Sequence, residues 1–130
     1  DEGGNADSLC LRAALDADQD GTADWTALFC GDAEAEQLQE LIDDGALGAV
    51  DVLKVGHHGS RAGLTDGVAQ ALSPRIALVS VGARNRYGHP APETLSRLET
   101  VGATVFRTDQ HGTVDVRLST GSVAVGTQRP

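Results

Sequence analysis

Two short stretches, AVDVLKV at 49–55 and RIALVSV at 75–81, are almost unbroken runs of Val, Leu, Ile and Ala. Each is too short for a typical helix and too apolar for a strand with one wet face, so each reads as a strand buried on both faces. Amphipathic segments alternate with them. GDAEAEQLQELIDDG predicts a helix from about 33 to 44, with Leu38, Leu41 and Ile42 on one face and Gly45 ending it. Residues 65–72 predict a short helix ended by Ser73-Pro74, and PETLSRLETVG a third, with Pro92 in its first turn and Gly102 after it. LCLRAAL and WTALFC read as an N-terminal hairpin, TVFRT as a further strand, and TVDVRLS with SVAV as a C-terminal hairpin. The expectation is an α/β fold, a mixed sheet with helices on at least one face and hairpins at both ends.

The chain has 130 residues, enough for one domain or part of a larger one. Hydrophobic residues make up 40% but aromatics only 3%, so the core must be Leu, Val and Ala in elements that approach closely. There is no apolar run long enough to span a bilayer and no basic-then-apolar leader. The first residue is Asp1, not Met, which suggests a segment excised from a longer protein. Residues 1–7 read as a frayed start or turn, and 127–130 as a flexible tail.

The net charge of −9 argues against nonspecific duplex binding by the whole surface. Its distribution is uneven. Residues 1–53 carry 14 acidic residues and one basic, whereas 54–130 carry five acidic and nine basic with all four histidines. A local phosphate site therefore belongs to the second part, and the acidic part reads as a solvated surface.

Cys10 and Cys30 lie in the two strands of the first hairpin. If that hairpin turns around residues 16–24, positions whose numbers sum to 40 face each other, and Cys10 faces Cys30. Either a cross-strand disulfide or two buried free thiols fits this placement. The connecting loop, Asp16-Ala17-Asp18-Gln19-Asp20-Gly21-Thr22-Ala23-Asp24, has the spacing of the first nine positions of an EF-hand calcium loop. Ala27 stands where the bidentate carboxylate is needed, and strands rather than helices flank it. An acidic hairpin turn is the better reading, with weak calcium binding as the alternative.

Three strands end in polar, glycine-bearing loops: Phe29-Cys30-Gly31-Asp32, Val55-Gly56-His57-His58-Gly59-Ser60 and Asn85-Arg86-Tyr87-Gly88-His89-Pro90. In open α/β sheets, sites form beyond the carboxyl ends of the strands. Asp32, His57, His58 and His89 are therefore expected on one rim, with His57 turned away from Asp32. A carboxylate with imidazoles suits zinc or manganese, although Asp32 could instead cap the following helix. Arg61, Arg84 and Arg86 occupy the histidine-bearing loops and suit contact with phosphate.

FCGDAEAE, DVLKVGHHGS and SVGARNRYGHPAPETLSRLETVGATVFRTDQHGTV, with an upstream Asn5, Ser8, Leu9 and Leu11, resemble the C-terminal part of the metallo-β-lactamase-like domain of the ComEC/Rec2 competence proteins. The resemblance runs from about Asn5 to Val116. It implies the second half of an αββα sandwich. The parent would be a channel in the cytoplasmic membrane for uptake of transforming DNA, with this domain on the extracellular side as a metal-dependent nuclease for a DNA strand. It further implies Asp32 as a bridging ligand and His58 as a ligand of a zinc or manganese pair, and His57 and His89 as catalytic groups. Ser60, Arg61, Arg84, Asn85, Arg86 and Tyr87 would contact substrate. The family's first metal motif, a His/Asp cluster, has no counterpart here, since no histidine precedes His57. The site on this chain would then be incomplete, with the N-terminal half of the domain outside it and the isolated chain inactive. The alternative is a non-catalytic nucleic-acid-binding or structural module of the same fold.

Overall fold

The computed structural model describes residues 8–130. Asn5 and the proposed frayed start lie outside the described residues. A five-stranded sheet forms the centre, in the spatial order β1-β2-β3-β4-β5. Strand β1 (Leu11–Leu15) pairs antiparallel with β2 (Trp25–Phe29). Strands β2, β3 (Val52–Lys54), β4 (Ile76–Val79) and β5 (Thr104–Arg107) run parallel. The first hairpin has the register expected of it, from Leu11 opposite Phe29 to Leu15 opposite Trp25.

Period-two alternation sorts the side chains of this sheet into two cores. Leu28, Leu53 and Ala77 stand side by side across β2, β3 and β4, fully or almost fully buried. They belong to one cluster with Leu38 of α1 (Ala35–Asp43), Val68 and Leu72 of α2 (Asp66–Leu72) and Leu98 of α3 (Pro92–Thr100). On the opposite face Ala27, Val52 and Ile76 meet Val116, Leu118, Val123 and Val125 of the hairpin β6 (Val114–Ser119) and β7 (Ser122–Thr127). The two apolar runs are buried on both faces because helices cover one and this hairpin the other. Trp25 fastens the hairpin to the sheet by donating from Nε1 to the Ser119 carbonyl at 2.7 Å.

Helix boundaries follow local chemistry. Glu34, not Asp32, is the N-cap of α1, and its amide donates to Gln37 Oε1 at 2.9 Å. Asp32 is thereby left outside the helix. Pro92 opens α3, and Thr65 Oγ1 accepts from the Val68 amide to cap α2. A single helical turn, α4 (Thr108–His111), joins β5 to β6. At the C-terminus Thr127 closes β7, and the amides of Gln128 and Arg129 donate to the carbonyls of Thr113 and His111.

Cys10 and Cys30 form a disulfide across the first hairpin, which decides between the two readings of this pair. No helix among the described residues is long and apolar enough to cross a membrane. Strand β1 lies at the sheet edge with all five residues exposed.

Candidate functional site at the carboxyl edge of the sheet

Because β2, β3 and β4 are parallel, the loops that follow them emerge at one end of the sheet. Backbone contacts join these loops. The His57 amide donates to the Gly31 carbonyl at 2.9 Å, and the Ala91 amide to the Gly59 carbonyl at 2.9 Å. A side chain at Gly56 would meet the Ala33 carbonyl, so only glycine lets the first two loops lie this close.

The His57-His58 pair sits in a tight 3-10 turn, Gly56–Gly59, with φ of 52° and 54°. Two consecutive non-glycine residues in the left-handed region are costly, and such strain persists where surrounding structure enforces it. The turn sends the two rings to different partners. His58 Nε2 lies 3.8 Å from Asp32 Oδ1, and His57 Nδ1 lies 3.7 Å from Glu34 Oε1. The His57 ring also meets the edge of His89 with centroids 5.9 Å apart, and His89 stacks on Tyr87 at 5.7 Å. Asp32, His57, His58 and His89 thus occupy one rim.

His58 Nδ1 is 2.8 Å from the Ser80 carbonyl oxygen at the end of β4. A carbonyl can only accept, so Nδ1 carries a proton, and it is Nε2 that faces Asp32. Burial, aided by the neighbouring His57 and His58, pushes the His89 imidazole below its ordinary value.

The remaining candidates divide into scaffold and surface. Asn85 donates from Nδ2 to the carbonyls of Gly82 and His89, and its Oδ1 accepts from the amides of Tyr87 and His89. All its hydrogen-bonding positions are engaged within the loop, so it fixes the spacing of Tyr87 and His89. Ser60 Oγ accepts from the Ala62 amide, and the Ser60 carbonyl accepts from the fully buried Thr94 of α3. Arg61 lines a cleft with Tyr87 and His89. Arg84 and Arg86 are exposed in the 82–91 loop. Among the described residues none of these three arginines makes an ion pair. Glu34 and Ser80 escaped sequence reasoning: Glu34 was absorbed into the helix, and Ser80 acts through its backbone. In the first hairpin, Asp16, Asp18 and Asp24 cluster with their carboxylates within 4.8 Å of one another. The Asp16 carboxylate accepts from the Gly21 amide and that of Asp24 from Ala17, as in a tight acidic turn.

The chain is similar in sequence to three known proteins. The chain is 41% identical over 90 residues to ComE operon protein 3 of Bacillus subtilis. It is 35% identical over 91 residues to recombination protein 2 of Haemophilus influenzae and 32% identical over 99 residues to competence protein ComA of Neisseria gonorrhoeae. The chain is homologous to a segment of the ComEC/Rec2 competence proteins. The matches cover 69%, 70% and 74% of this chain but 12%, 11% and 14% of those relatives. No protein-family model matches the chain.

A zinc or manganese centre needs at least three protein donors at about 2.0–2.3 Å from the ion. Asp32 Oδ1 and His58 Nε2, 3.8 Å apart, are close enough to share one. Among the described residues the sole group of three or more such donors within mutual reach is Asp16, Asp18 and Asp24, in the first hairpin. Among the described residues the rim therefore brings no three donors within reach of one ion, and these residues do not make a complete metal centre by themselves.

Proposed function

We infer that this segment is one wall of a phosphodiesterase site that acts on single-stranded DNA during DNA uptake. The observation that carries the reading is the hydrogen bond from His58 Nδ1 to the Ser80 carbonyl, which turns Nε2 toward the Asp32 carboxylate. A backbone acceptor holding the far nitrogen of an imidazole is the arrangement used for ligating histidines. Asp32 and His58 would then be two of the donors to a zinc or manganese pair, and the rest of the protein would have to supply the others. His57, oriented by Glu34, faces the leaving group as proton donor. His89 lies beside it as the second catalytic imidazole. Arg61, Arg84 and Arg86 neutralise the phosphate backbone, with Ser60, Asn85 and Tyr87 shaping the groove.

The surroundings of the segment fit the same picture. The Cys10–Cys30 disulfide favours an oxidising compartment, in agreement with a domain on the outer side of the cytoplasmic membrane attached to a DNA channel. Leu9, Leu11, Leu15 and Phe29 are 84%, 59%, 40% and 41% exposed, an unusual apolar strip for a free surface. We assign this strip, on and beside the edge strand β1, to the contact with the other half of a metallo-β-lactamase-type sandwich. Weak calcium binding at Asp16–Asp24 is compatible with the hairpin and independent of the rim.

The second reading, a module that binds nucleic acid without cleaving it, is favoured by the missing third donor among the described residues. Cleavage of a labelled single strand by the complete protein separates the two. Metal-dependent cleavage that is lost in both Asp32→Ala and His58→Ala supports hydrolysis. Full cleavage by both variants removes these residues from the chemistry, and binding without cleavage selects the second reading.

A further inference from the structure

The chain has a single tyrosine, and it is not used for packing. Tyr87 is 81% exposed in a protein whose aromatics are only 3% of residues, so its ring contributes little to the core. The loop nevertheless fixes it. Asn85 Oδ1 accepts from the amides of both Tyr87 and His89 at 3.2 and 3.0 Å. Gly88 between them has φ +70°, which folds the chain so that both rings leave on the same side. The result is a near-parallel stack, with centroids 5.7 Å apart and planes 28° apart. His89 covers one face of the tyrosine ring, and the exposure of the residue leaves the other face to solvent.

Tyr87 lines a cleft of about 340 Å³ with Ser60, Arg61, His89 and Glu93. Arg61 is exposed and makes no ion pair among the described residues. A flat aromatic face beside an unneutralised guanidinium matches the two parts of a nucleotide, a planar base and its phosphate. Glu93 adds an acceptor for the exocyclic amine of a base and disfavours phosphate at its own part of the cleft.

We propose that Tyr87, backed by His89, is a stacking platform for one unpaired nucleobase, with Arg61 holding an adjacent phosphate. The proposal rests on the reading of this rim as a DNA site, and it states how the strand is gripped. In a duplex both faces of a base are already stacked, so only a single strand or an extruded base can lay a face on Tyr87. The second ring of the stack meets His57 at 5.9 Å, which carries the row of rings from the surface to the rim.

The test compares two labelled 12-mers, oligothymidylate and the same backbone with abasic sites throughout, by fluorescence anisotropy with this chain in metal-free, low-salt buffer. The expected result is about tenfold tighter binding of oligothymidylate, a preference kept by Tyr87→Phe and lost by Tyr87→Ala. The affinity of Tyr87→Ala for the abasic strand should remain that of the parent. Equal affinity of the parent chain for the two strands, a preference that survives Tyr87→Ala, or no binding of either strand overturns the proposal. The double variant Asp32→Ala, His58→Ala separates this grip from the hydrolytic reading. It should keep the base preference whether or not the complete protein cleaves DNA.

Discussion

A Cβ added to Gly59 would lie 2.6 Å from Cβ of Pro90, closer than any two such atoms can approach. Gly59 has φ +82° as well, so a side chain there is strained by the backbone and blocked by the neighbouring loop. This contact sets how closely the loop carrying His57 and His58 lies to the one carrying Tyr87 and His89. Gly59→Ala should lower stability by about 2–4 kcal/mol, from overpacking and left-handed strain together. Urea denaturation measures the loss, and an unchanged midpoint would mean that the loops separate freely.

The isolated chain should not hydrolyse DNA at a useful rate, because among the described residues no three donors of the rim come within reach of one ion. Incubation of a labelled single strand with the chain and excess zinc or manganese is the measurement. Robust cleavage that Asp32→Ala abolishes would show that two donors suffice.

Arg84 and Arg86 are exposed on the loop that holds His89. If both contact phosphate, replacing both with alanine should flatten the salt dependence of single-strand binding by about 1.4 log units per decade of salt. An unchanged slope and affinity would place the DNA path elsewhere.

The Arg107 guanidinium donates to both carboxylate oxygens of Asp109 at 3.0 and 2.7 Å. These bonds, against the opposing effect of burial and with help from the charge of Arg107, hold the Asp109 carboxyl below its ordinary value. Since the folded value lies below the unfolded one, about 3.9, the stabilisation is fully present above the unfolded value and is lost as pH falls through the folded one. Asp109→Asn should destabilise the protein by about 1–2 kcal/mol at pH 7. The difference from the parent should narrow in thermal melts taken below pH 4. A constant difference down to pH 2 would contradict the pairing.

The Cys10–Cys30 bond closes a loop of sequence separation 20. Its removal by a Cys10→Ser, Cys30→Ser double change should lower stability by about 2–4 kcal/mol through the added freedom of the unfolded chain. Equal denaturation midpoints for the parent and the double variant would show that sheet pairing alone fixes the hairpin.

The sheet was legible in the sequence because its strands are marked twice, by unbroken apolar runs and by the turn residues that bound them. The pairing of Leu11 with Phe29 follows from the hairpin centre alone. The convergence of Asp32, His58 and His89 was legible because parallel strands must release their loops at one end. The partners of these groups were not legible. Glu34 reaches His57 only because the helix is capped two residues later than Asp32, and a change of capping residue leaves little trace in composition. The left-handed pair His57-His58 contradicts local preference, so propensity cannot foresee it. The substrate role expected of Asn85 comes from the family resemblance, and the bonds it makes within its own loop leave no mark in the sequence.

The hydrogen bond from His58 to Ser80 spans 22 residues of sequence and joins the ends of two neighbouring strands. It can form only when β4 has docked beside β3, so the proton position on this ring is a record of assembly. A partly folded chain would leave His58 free to exchange between tautomers, with its ring nitrogens averaged. The nitrogen chemical shifts of this one imidazole would therefore register completion of the sheet.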